Sequence, residues 1–173
     1  MGRARNQDLA GYYLRAAGVA AVWIDADGCI GAQDVAPLAL DEPQRIAYCC
    51  DRRAHFILAY RLQMWLQDQP ATPSQASIAA KLEELAELGG VGLTPHAVAA
   101  ERAAAAVATI DKNFEAAAVR GELRELNAAF KAARAVDPSL RYADFVAAKK
   151  ASLIEALAAG KMPAAPALAA AAS

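Results

Sequence analysis

Two histidines and three cysteines are all that this 173-residue chain offers to a soft or borderline metal. Such scarcity counts against a site built from several imidazole or thiolate ligands, and neither a CxxC pair nor an HExxH helix occurs. Glycine-rich phosphate loops of the Walker or dinucleotide type are missing too, as is a GxSxG nucleophile elbow. With no catalytic motif, the expectation is a protein that is not an enzyme and that takes no cofactor and no metal. Neither sign of charge is in surplus: 18 Lys+Arg stand against 19 Asp+Glu, a net charge of −1. No global cationic field is therefore available to hold nucleic acid, and any such binding needs a local patch. No stretch reaches the roughly 18 uncharged apolar residues of a transmembrane helix, so no membrane span is expected. Basic Met1-Gly2-Arg3-Ala4-Arg5 runs into Asn6-Gln7-Asp8 rather than into an apolar core, the opposite of an export signal. Cys29, Cys49 and Cys50 are odd in number and two are adjacent, so reduced thiols and a cytoplasmic location are expected.

What the chain does have is alanine, 48 residues of it, within an apolar share of 57% that includes only 6% aromatics. Alanine favours helix and buries little area, so the composition predicts helices packed closely at small side chains. The expected fold is mostly α, a helical bundle or set of helical hairpins with a small N-terminal β-hairpin. Three stretches divide it: 1–70 with an N-terminal helix, the hairpin and a long core helix; 71–160 with C-terminal helical hairpins; and 161–173, an Ala/Pro tail expected to be disordered.

Along the chain, residues 7–17 read as a short helix closed by Gly18. Val19–Ile24 is β-branched and aromatic, Asp25-Ala26-Asp27-Gly28 supplies turn chemistry, and Cys29–Ala32 returns as a second strand. From about 42 to 68, Ile46, Cys50, Ala54, Ile57, Leu58, Leu62, Trp65 and Leu66 recur every three or four residues, which predicts one long helix with a broad core face. Thr72-Pro73 and Thr94-Pro95 each look like an N-cap followed by proline in the first turn, with Gln75 closing a capping box and Gly89-Gly90 ending the first of these helices. Helical patterns then run past Gly121 to Asp137-Pro138 and again over about 140–159.

Four constellations resemble sites. Asp25, Asp27 and Gly28 suggest a calcium loop, but Gly28 falls at its fourth position and Ala36 at its twelfth, so a hairpin turn is expected instead. Cys49, Cys50 and His55 diverge on a helix by about 100° per residue, and the thiols are expected to behave as small buried hydrophobes. His96 is expected at the surface. Gly11-Tyr12-Tyr13 followed by Val22-Trp23-Ile24 resembles, over some fifteen residues, the two sequence marks of the GIY-YIG nucleases. The second glycine is missing, and no arginine or metal-binding glutamate takes the matching place. Gln75–Leu82 followed by Leu93–Val98 and Arg102 looks like a helix-turn-helix over 73–102, although Glu83–Gly92 is too long for its turn and brings in Glu83, Glu84 and Glu87.

Two surfaces complete the reading. On a helix through 120–136, Arg120, Arg124, Asn127, Lys131 and Arg134 fall within an arc of about 80°, with Lys149 and Lys150 on the next helix. Such a stripe suits a phosphate backbone. Val107, Ile110 and Phe114 alternate by three and four, the seam of a helical hairpin or a self-associating coil. The expected function is thus a non-enzymatic helical binding protein, a protein-interaction adaptor or small oligomeric scaffold whose partner is another protein or a second copy. The alternative is a nucleic-acid-associated accessory factor using the basic face and the helix-turn-helix-like unit.

Overall fold

The computed structural model describes residues 2–35, 40, 42–119 and 123–160. Its elements run α1 (Gly2–Ala16), β1 (Val19–Ile24), β2 (Ile30–Asp34), β3 (Ile46–Asp51), α2 (His55–Gln67), α3 (Gln75–Leu88), β4 (Thr94–Pro95), α4 (His96–Val119), α5 (Leu123–Val136) and α6 (Tyr142–Ala158). The chain is mostly α with a small antiparallel sheet near its N-terminus, and it divides by packing into two units, 1–104 and 105–173. The boundary falls within α4, so α3, grouped above with the C-terminal hairpins, packs in the first unit.

The first unit is organised by β1, the centre of a sheet ordered β2-β1-β3-β4. Gly18 takes a φ of 74°, the left-handed value that lets α1 end and β1 begin at once. The expected hairpin forms: Gly28 N–H donates to the Asp25 carbonyl at 2.9 Å, and Gly28 itself has φ 79°, the geometry of a short turn closed by a left-handed glycine. One face of the sheet carries Val22, Ile24 and Cys50, packed with Leu58, Leu62, Ile78, Ala79, Leu82 and Ala86 of α2 and α3. At the β1–β2 pairing, Trp23 faces Gly31, where an added Cβ would lie 2.2 Å from the indole. Arg45 stands 5.5 Å from the centre of the Trp23 ring and is held by Asp25 at 2.8 Å.

Four sequence expectations are corrected here. The long helix over 42–68 is a strand followed by a helix: Ile46–Asp51 is β3, and helix begins only at His55. Residues four apart, such as Ile46 and Cys50, share a face of a strand as well as of a helix, and here six residues of β1 pair with Ile46–Asp51 in antiparallel register, which gives the segment its backbone partners as a strand. The cap of α3 is Ser74, whose side chain accepts from Ser77 N–H, not Thr72; Gln75 meanwhile donates to the carbonyls of Ile24 and Gln44, tying α3 to the sheet. Thr94-Pro95 is not a cap but the edge strand β4, paired with Tyr48 and Cys49. Proline is tolerated there because an edge leaves one side of the strand unpaired. That pairing brings the start of α4 against the sheet, so His96 is buried rather than at the surface.

In the second unit Phe130 of α5 meets Tyr142 edge-to-face at 5.1 Å and Phe145 at 5.5 Å on α6. Lys150 of α6 forms an ion pair with Asp111 of α4 and lies 5.5 Å from the ring centre of Phe114. Residues 161–173, Arg120 and Gly121 lie outside the described residues.

Candidate functional site

Helix α2 is the element whose surface needs explaining. Its inner stripe, His55, Leu58 and Leu62, is buried, and Trp65 is half-buried beneath Lys81, whose ammonium stands 6.0 Å from the ring centre. The outer side is also apolar. Phe56, Ile57, Tyr60 and Met64 are 65%, 54%, 66% and 44% exposed, and they account for half of the large hydrophobic residues found exposed among the described residues. At 100° per residue these four fall within an arc of about 100°. A helix anchored on one face and apolar on the opposite one has more hydrophobic surface than folding requires, and a contiguous patch of that kind marks a contact site.

Beside the stripe lies a cavity of about 600 Å³ lined by Asp51, Arg53, Ala54, Ile57, Leu58, Arg61 and the loop Gly89–Gly92. Ile57 belongs to both the stripe and the cavity wall, and Arg61 lines the cavity one residue after Tyr60. Neither Arg53 nor Arg61 has an ion-pair partner among the described residues, whereas neighbouring Arg52 is bound to Asp34 at 2.6 Å. The Asp51 carboxylate accepts the Arg53 backbone N–H at 2.8 Å. The loop N–H groups of Gly89, Gly90 and Val91 are already used on carbonyls of α3, so the positive charge in this cavity comes from the arginines. No sequence expectation singled out this face, because Ile57 had been placed on a core-facing stripe and Phe56, Tyr60 and Met64 on none.

The cysteine–histidine set does not converge as a ligand group. Cys49 and Cys50 point to opposite faces of β3, Cys50 into the core and Cys49 toward a second cavity of about 350 Å³ that Tyr13, Leu14, Thr94 and Arg102 help to line. Burial pushes both thiols up to about 11, with the Cys50 neighbour adding to the effect on Cys49 and the Asp51 charge to that on Cys50. Burial also raises Tyr48 to about 12, helped by its 2.8 Å hydrogen bond to the Glu83 carboxylate. His55 Nδ1–H donates to the Arg52 carbonyl at 2.5 Å. Among the described residues, no group of three or more His, Cys, Asp and Glu is placed to hold a metal, and no helix is long and apolar enough to cross a membrane.

The remaining candidates are distributed as follows. Arg124, Asn127, Lys131 and Arg134 are exposed on α5, and the three cations carry no ion pair among the described residues, while Arg120 is outside them. Lys149 and Lys150 do not extend that stripe freely: both are half-buried, Lys150 on Asp111 and Lys149 with its ammonium 5.8 Å from the ring centre of Phe145. Val107 and Ile110 are each 2% exposed and Phe114 is half-buried, so the apolar seam is internal packing. In the helix-turn-helix-like stretch, Ile78, Ala79 and Leu82 are core residues, and β4 intervenes before α4. Gly11–Tyr13, the first nuclease-like mark, lies in α1, and Val22–Ile24, the second, in β1.

Compared with protein-family models, with curated proteins and with solved structures, the chain shows no match.

Proposed function

We propose that this chain is a non-enzymatic, cytoplasmic protein-interaction module whose contact surface is the outer face of α2. The observation that carries the reading is the row Phe56, Ile57, Tyr60 and Met64, left exposed on a helix whose opposite side is locked into the core. Aromatic residues, methionine and arginine are the types enriched at interface centres, and this face offers all of them. The test is fluorescence anisotropy with a labelled amphipathic helical peptide bearing leucines on one face, using the wild type and F56S/Y60S. Binding by the wild type and its loss in a variant of unchanged melting temperature supports the reading; equal binding by both, or none by either, overturns it.

Arg124, Lys131 and Arg134, exposed and without an ion pair among the described residues, favour a second reading, a phosphate-binding face on α5. A nucleic-acid site of that kind predicts binding that falls steeply with salt and is lost in R124Q/K131Q/R134Q. Without measurable affinity at about 50 mM salt, where counterion release is most favourable, the second reading fails.

A further inference from the structure

Resting on the α2 reading, we infer that the partner segment is an acidic amphipathic peptide. Its apolar side covers Phe56, Tyr60 and Met64, and one of its carboxylates enters the Arg53/Arg61 cavity. Three observations lead there. The thirteen residues of α2 include no acidic side chain, so the cations beside the stripe are not neutralised by the helix itself. Arg53 and Arg61 share one concave wall with Ile57 and are unpaired among the described residues, and two guanidinium groups bordering an apolar surface suit a carboxylate, which arginine binds through paired N–H donors. Gly92 also lines this cavity, and a Cβ added there meets nothing within 4 Å, so there is room for a larger side chain at its border.

Other occupants fit less well. Four partly exposed side chains offer on the order of 400–500 Å² of contact area, given roughly 150–250 Å² for a whole aromatic side chain. Two copies joined through this face alone would bury about 1,000 Å² at most, below the usual range of stable specific interfaces. A flat anionic bilayer would cover the stripe but leave a cavity of about 600 Å³ beside it unfilled. A peptide side chain can fill that space.

The experiment titrates the full chain into two fluorescein-labelled helical peptides that share a leucine face and differ only in carrying glutamates or lysines along its flank. The glutamate peptide is expected to bind at least about tenfold more tightly, the scale of one hydrogen-bonded charge pair. The preference should shrink from 50 to 500 mM salt, disappear in R53Q/R61Q and reverse in R61E, and G92F should weaken the glutamate peptide selectively. Circular dichroism melts establish that each variant is folded. Equal binding of both peptides, lost in F56S/Y60S, would leave the α2 face as a contact site and overturn the acidic partner. No binding of either peptide would overturn both. Concentration-dependent dimerisation by sedimentation that F56S/Y60S abolishes, or pelleting with phosphatidylglycerol vesicles that R53Q/R61Q abolishes, would assign the face to a second copy or to a membrane surface and so overturn the proposal.

Discussion

The outer face of α2 and the seam of α4 are written in the same alphabet and used in opposite ways. Val107 and Ile110, three apart, are buried almost completely, whereas Phe56 and Tyr60, four apart, are about two-thirds exposed. Spacing shows that residues share a face, not what lies against it. What separates the two helices is the number of apolar faces. In α4 the seam at Val107 and Ile110 is bordered by alanines and charged residues and is turned inside, and Val98 is the large hydrophobic residue of this helix found exposed among the described residues. From His55 to Leu66, α2 is apolar nearly all round, with Arg61 and Gln63 as its principal polar breaks. Only one side of it can meet the sheet and α3, and the surplus is turned outward.

The comparison breaks most readily at the buried positions. Leu62→Ala in the first unit and Ile110→Ala in the second should each cost about 2–5 kcal/mol in reversible denaturation, since both leave cavities at sites with almost no exposure. A loss below about 0.5 kcal/mol at Ile110 would make the α4 seam a surface like that of α2. Gly31→Ala should also destabilise the first unit, because its Cβ would overlap the Trp23 indole at 2.2 Å; a shift in indole fluorescence should accompany the lowered melting temperature. F56S/Y60S should do almost nothing to stability, within about ±0.5 kcal/mol per site, which sets the exposed stripe apart from the seam.

The smallest effect is on the alkaline side. Tyr48, Cys49 and Cys50 favour their neutral forms in the fold, with values raised to about 12, 11 and 11. Their contribution is complete below the ordinary thiol value near 9 and is lost as pH rises through about 11 to 12. Melting temperature should therefore fall across that window, and C49A/C50A should flatten the decline. Iodoacetamide at pH 8 should modify exposed Cys29 and spare Cys49 and Cys50 until the chain is unfolded.

Much of the fold was legible in the sequence. The Asp-Gly turn and the β-branched run gave the first hairpin, Gly18 and Gly89-Gly90 the ends of α1 and α3, and alanine the helical class. β3 was not legible, because Ile46, Cys50 and Ala54 also fit a helix and the pairing that decides the matter joins residues 22 to 32 apart. His96 and Thr94-Pro95 were misread for the same reason: a strand of two residues exists only through its partner on β3. The α2 face left a trace in the sequence, an apolar content beyond one stripe, but a predicted helix beginning near 42 rather than at His55 hid which residues were the excess. The Arg53/Arg61 cavity depends on loop 89–92 coming beside α2, which no local pattern encodes.

Hydroxyl-radical footprinting of the full chain, alone and saturated with the glutamate peptide, tests the use of α2 most directly. Phe56, Tyr60 and Met64 should label strongly in the free protein while Leu62, Val107 and Ile110 stay protected, and the peptide should suppress labelling at the first three. Protection of Phe56, Tyr60 and Met64 in the free protein at every concentration, or labelling unchanged by the peptide, would contradict the assignment of this face as the contact surface.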